Sequence, residues 1–99
     1  MKKWYKEDYS FKITVLSVGN DGRPEHCRNG HEVGDTFICE YGCPDGFCSK
    51  SMMKLFPLME AVRSGGELSN LLYGASKQSG IFTCPDGVVT FKIEGMKNA

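Results

Sequence analysis

Ser10-Phe11-Lys12-Ile13-Thr14-Val15-Leu16-Ser17-Val18 and Val88-Val89-Thr90-Phe91-Lys92-Ile93-Glu94 decide the fold, one run near each end of the chain. In the first, Phe11, Ile13 and Val15 alternate with Lys12 and Thr14, the period-two pattern of a half-buried strand. In the second, Val89, Phe91 and Ile93 fall on one face, with Lys92 and Glu94 opposite.

Working outward, Gly19-Asn-Asp-Gly-Arg-Pro24 is a dense cluster of turn residues and reads as a loop leading to His26-Cys27. Gly34-Asp35 turns the chain into a second strand, Thr36 to Tyr41, which runs into Gly42-Cys-Pro-Asp-Gly-Phe-Cys48. From Ser49 to Ser64 the period changes. Met52, Leu55, Phe56, Met59 and Val62 form a helical stripe, and Lys50, Lys54, Glu60 and Arg63 suit a solvated side. Pro57 removes a helical hydrogen bond, so the helix is either kinked there or restarts with Pro57 in its first turn. Gly65-Gly66 is a stop signal, and Leu68, Leu71 and Leu72 allow one more turn before Gly74. Gly80-Ile-Phe-Thr-Cys84 then meets Pro85-Asp-Gly87, a hairpin turn by composition.

The order strand, strand, helix, strand, strand predicts an α+β fold. Its sheet is small, antiparallel or mixed, of about four strands, with one main helix packed on it. Closure into a partial barrel is the alternative. At 99 residues the chain fits a single domain over 1–99, with 1–9 as a flexible lead-in or short helix. Twelve basic and twelve acidic residues (Lys+Arg 12, Asp+Glu 12) argue against a broad nucleic-acid footprint. No apolar run approaches the ~18 residues of a membrane span. The opening Met1-Lys-Lys-Trp-Tyr5 lacks the apolar core of a signal peptide, so a cytoplasmic protein is expected.

Five cysteines in a chain of this size are the chemical feature to explain. The count is odd and no secretory signal is read, so metal or redox chemistry is favoured over a disulfide scaffold. Cys43-Pro-Asp-Gly46 and Cys84-Pro-Asp-Gly87 are the same tetrapeptide. In such a turn the backbone N–H groups after the cysteine can point back at its sulfur, which suits a metal-bound or free thiolate. The plainer reading is two β-turns that happen to begin with cysteine.

Cys39, Cys43 and Cys48 are spaced C-x3-C-x4-C, close enough for three ligands on one loop, with Cys84 as a fourth. The spacing matches neither a zinc knuckle nor a ferredoxin run. Cys27 with His26 or His31 offers another way to complete a site, although both histidines read first as surface loop residues. No C-x-x-C pair exists, which removes the thioredoxin-type motif. For nucleophilic chemistry the candidates are Cys27, in a loop beside a histidine, and Cys48, at a helix N-terminus.

Lys12-Ile-Thr-Val15, Cys27, Gly30-His-Glu-Val-Gly-Asp-Thr-Phe37, Gly46-Phe-Cys48, Pro57, Ser64-Gly-Gly66 and Cys84-Pro-Asp-Gly-Val-Val-Thr-Phe-Lys-Ile-Glu94 stand in that order. Together they resemble a family of small, functionally uncharacterised prokaryotic proteins of about this length, sometimes found as tandem repeats. The resemblance runs through nearly the whole chain in short motifs. It implies Cys27, Cys48 and Cys84 as the shared set, with Cys39 and Cys43 as additions.

The leading expectation is therefore a thiolate metal site for zinc or an iron–sulfur cluster, in a structural or redox-accessory role. Cys27, Cys48 and Cys84 would hold it, with Cys43 as extra ligand and His31 and Cys39 ranked behind. The alternatives are a small thiol-dependent enzyme acting on a small molecule and a non-catalytic interaction module with buried free cysteines. A protein or small-molecule partner is expected, without nucleic acid or membrane. An unpaired sheet edge offers a route to a homodimer.

Overall fold

Alternating apolar residues in the two outer runs place them at the centre of one sheet. The computed structural model describes residues 7–69, 72, 76 and 78–98. Its elements are β1 (Tyr9–Val18), a 3-10 turn (Pro24–His26), β2 (Thr36–Cys39), α1 (Ser49–Arg63), β3 (Ser79–Thr83) and β4 (Val89–Lys97). The four strands are ordered β2-β1-β4-β3, and every neighbouring pair is antiparallel. The fold is thus a small α+β one with a purely antiparallel sheet, and the sheet is open.

The central pair joins the start of the chain to its end, with Ile13 opposite Ile93 and Val15 opposite Phe91. A register shift between Val15 and Ser17 breaks the strict alternation. It turns Val18 inward instead of Ser17, so Phe11, Ile13, Val15 and Val18 all reach the core. Val89, Phe91 and Ile93 join them from β4. Gly95 faces Phe11 across the pair, and a Cβ there would stand 3.3 Å from the Phe11 ring and 3.1 Å from the Gln78 carbonyl. A side chain there would make the ring and the Gln78 backbone give way by a few tenths of an ångström.

Helix α1 covers this face with Met52, Leu55, Met59 and Val62, four of the five residues in the expected stripe. Phe56 is only half-buried, its ring edge-on to Tyr41. The helix runs unbroken through Pro57, which lies on its exposed side. Arg63 departs from the solvated side expected of it. Its guanidinium lies 5.1 Å from the Phe11 ring centre and 5.2 Å from that of Tyr41, and it donates to the Glu40 carbonyl at 2.8 Å. The long side chain closes the far end of the core with its stem; its two terminal nitrogens bond to Glu60 and the Glu40 carbonyl, while Nε makes no hydrogen bond among the described residues and lies 3.9 Å from Glu7.

Two boundaries also move. β2 ends at Cys39 rather than Tyr41, and β4 continues to Lys97. Of the extra helical turn expected over 68–72, residues 70 and 71 lie outside the described residues, while Leu68 is buried and its carbonyl accepts the Leu72 N–H at 3.1 Å. The lead-in at 1–9 also lies mostly outside them. Among the described residues no helix is long and apolar enough to cross a membrane.

Leu55 is fully buried between helix and sheet. Leu55→Ala is expected to destabilise the protein by about 2–5 kcal/mol in urea titration. Pro57→Ala restores a helical donor at an exposed position, and the same titration should show a gain of about 1–3 kcal/mol.

Candidate functional site

The end of the sheet where β1 stops and β4 begins gathers three chain segments. The first is the loop after β1. The 3-10 turn at Pro24–His26 ends on Cys27, whose N–H bonds to the Pro24 carbonyl at 3.0 Å. The Cys27 carbonyl then accepts the Gly30 N–H at 2.9 Å, and Gly30 takes a left-handed φ of 68°. A side chain at that position would be strained, whereas glycine turns the chain freely. The turn sends His31 inward.

Cys48 comes from the second segment, as the N-cap residue of α1. Its carbonyl accepts the Met52 N–H at 3.0 Å, but its side chain makes no capping bond, so the sulfur is not committed to the helix. Ser51, in the first turn of the helix, is fully buried.

Cys84 comes from the third segment, the turn between β3 and β4. Its sulfur accepts the N–H groups of Val88 and Val89 at 3.4 and 3.3 Å. This is the arrangement that the Cys-Pro-Asp-Gly sequence leads one to expect. The other copy of the tetrapeptide behaves differently. At 84–87 the turn bond runs from the Gly87 N–H to the Cys84 carbonyl, whereas at the first copy it runs from the Phe47 N–H to the Pro44 carbonyl. The turn has slipped by one residue. Cys43 is left outside it, exposed, with its thiol pointed at the carbonyls of Pro44 and Phe47.

Cys27, Cys48 and Cys84 line one cavity of about 20 Å³, together with His31 and Ser51. Cys43 does not line it; it belongs to an open groove beside Met52, Met53 and Phe56. Cys39 is also elsewhere. It is fully buried in the core, its thiol 3.3 Å from the Gly42 carbonyl, and burial pushes the thiol pKa up despite Arg63 nearby. The Cys43 thiol is raised too, by partial burial and then by Cys48 and Asp45.

His31 is not the surface loop histidine the sequence leads one to expect. It is 3% exposed, stacked on Phe47 at 5.7 Å between ring centres and edge-on to Phe37 and Phe91. Burial pushes its pKa below the usual histidine value, partly opposed by Asp35. His26 does remain exposed, 3.1 Å from Asp21. His31 Nε2 and Ser51 Oγ are buried without a hydrogen-bond partner. A buried polar atom left unpaired costs about 1–3 kcal/mol, so two at one cavity mark a place where an occupant would be stabilised.

Three charged side chains stand at the same cavity. Asp86 accepts a hydrogen bond from Lys50 Nζ at 2.7 Å and faces Arg28 Nε at 3.7 Å. The Lys50 ammonium holds the Asp86 carboxyl below the usual carboxylate range.

Among the described residues, no group of three or more His, Cys, Asp or Glu side chains stands at a spacing that would hold a metal ion. The cysteines share a cavity without being drawn to ligand distance. All five are free thiols.

No relative emerges. Neither the family models, nor the curated proteins, nor the solved structures contain a match to this chain. His31 is legible in the sequence only as a lower-ranked ligand, and Ser51 and the Arg28–Asp86–Lys50 group carry no signal there, because each depends on contacts between distant segments.

The His31 pKa gives a pH test. A depressed folded value means that the unfolded chain takes the proton first, from about pH 6.5 downward. His31 therefore contributes stability above that pH and loses it as pH falls through the folded value. His31→Phe suits the aromatic surroundings and has no proton to gain. In thermal melts of metal-free protein, the variant should gain on wild type as pH drops from about 7 to about 5.

Proposed function

We propose that the protein holds a single metal ion, zinc by preference, in the cavity lined by Cys27, Cys48 and Cys84, with His31 Nε2 as the fourth donor. The observation that carries this reading is the convergence of three sulfurs from three separate segments on one cavity with an unpaired imidazole nitrogen. Three cysteines and one histidine are a recurrent zinc donor set. The soft donors suit zinc over calcium or magnesium, which take oxygen ligands. Binding would draw the sulfurs inward to ligand distance.

Size favours this reading over the others. A cavity of about 20 Å³ has room for one water molecule or one ion. Organic substrates occupy pockets of roughly 300–1,000 Å³, which counts against small-molecule thiol chemistry at this cavity. An iron–sulfur cluster, with several irons and sulfides, also asks for more space than one ion. The two N–H donors on the Cys84 sulfur suit a ligating thiolate. A role for the metal in stabilising a small domain follows, in a compartment reducing enough to keep thiols available, such as the cytoplasm.

The test is metal stoichiometry with a spectrum. Anaerobically purified protein should bind about one zinc per chain, and cobalt in its place should give the intense absorption of a tetrahedral sulfur-rich site. Zinc at about 1,000 times its dissociation constant would add about 4 kcal/mol, a rise in Tm of well over 10 °C for a chain this size. Cys27→Ser, Cys48→Ser, Cys84→Ser and His31→Phe should each weaken binding at least tenfold, and Cys43→Ser should not. Folded protein that takes up no zinc or cobalt, with no change in Tm, would overturn the reading.

A further inference from the structure

The three segments that bring the cysteines together also carry the three charged groups at the cavity. Arg28 follows Cys27 directly, Lys50 lies two residues after Cys48, and Asp86 lies two residues after Cys84. Asp86 touches both cations, at 2.7 Å to Lys50 Nζ and 3.7 Å to Arg28 Nε. One carboxylate thus joins all three cysteine-bearing segments, a short way along the chain from each sulfur. Other direct ties among the described residues join these segments two at a time: Asn29 Nδ2 reaches the Gly46 carbonyl at 3.4 Å and His31 stacks on Phe47, linking the first and second, and the Gly19 N–H bonds to the Val88 carbonyl at 2.7 Å, linking the first and third.

We infer that Asp86 is a positioning residue, a charged clasp that holds the segments of Cys27, Cys48 and Cys84 together over the cavity. The inference rests on the reading of this cavity as the working site, but it concerns the protein before any metal arrives. The clasp is largely exposed, with 35% of the Asp86 side chain, 51% of Lys50 and 81% of Arg28 open to solvent. Its strength is therefore modest and sensitive to salt. That modesty fits its place: a clasp that yields lets the segments part for an incoming ion and close again behind it.

Thiol alkylation of metal-free protein, resolved by peptide mass spectrometry, tests this. Asp86→Asn should speed modification of Cys27, Cys48 and Cys84 by about five-fold, the scale of one exposed ion-pair network. Exposed Cys43 serves as the internal control and should not change. Wild-type protein in about 1 M salt should approach the variant, because screening there reaches within about 3 Å. Lys50→Met separates a clasp from a simple charge effect. Removing a negative charge favours thiolates and removing a positive one disfavours them, so charge alone would speed alkylation in Asp86→Asn and slow it in Lys50→Met. Loss of the clasp speeds both.

Circular dichroism establishes that each variant is folded, and Lys50→Met stands alone should Asp86→Asn fail to fold. Faster alkylation of the three cysteines in folded Lys50→Met supports the clasp even if the protein takes up no zinc, in which case only the metal reading falls. Unchanged or slower alkylation in Lys50→Met overturns the clasp, whatever zinc does.

Discussion

Pairing of β1 with β4 is the constraint on which the rest of this structure depends. It joins the first described strand to the last, and each contributes a run of fully buried side chains to one face. Burial of apolar area at roughly 25 cal/mol per Å² is the main force holding a small core together, and here both central strands spend one whole face on it. The helix has a single apolar stripe and a single surface on which to bury it. Once Met52, Leu55, Met59 and Val62 lie on that face, the direction of the helix and the ends of its flanking loops are largely settled.

The same pairing explains why Cys27, Cys48 and Cys84 collect at one end. Val18 lies opposite Val89, so the loop that leaves β1 and the turn that enters β4 emerge side by side. The Gly19 N–H bonds to the Val88 carbonyl at 2.7 Å and fixes that proximity. Cys27 and Cys84 are thereby neighbours in space, although most of the chain separates them in sequence. The aromatic group of His31, Phe37, Phe47 and Phe91 packs beneath them and gives the loop a rigid floor.

Much of the fold was legible because its periods are clean. Phe11-Ile13-Val15 and Val89-Phe91-Ile93 alternate, and the stripe from Met52 to Val62 repeats at helical spacing, so element type and order follow from local pattern. Pro57 was ambiguous because a proline on the exposed side of a helix is tolerated when packing on the opposite side holds the helix, and only tertiary structure shows which side it takes. His31 and Arg63 depart from their sequence reading for a shared reason. Each is polar in isolation, and each is covered by aromatic rings brought up by the fold: Phe37, Phe47 and Phe91 around His31, and Phe11 and Tyr41, with Phe56 of its own helix, around Arg63. The repeated tetrapeptide shows the limit of motif reading. At Cys84 the flanking strands pair with each other and dictate where the turn begins. At Cys43 strand β2 has already ended, and the turn forms one residue later.

Cys48 sits where most helices place Ser, Thr, Asp or Asn. Those residues would add about 1 kcal/mol through a side-chain bond that cysteine here does not make. Selection for heat resistance alone would push this position away from cysteine, while selection for a sulfur at the cavity would hold it. On the proposed reading of the cavity, position 48 is where durability and chemistry pull in opposite directions.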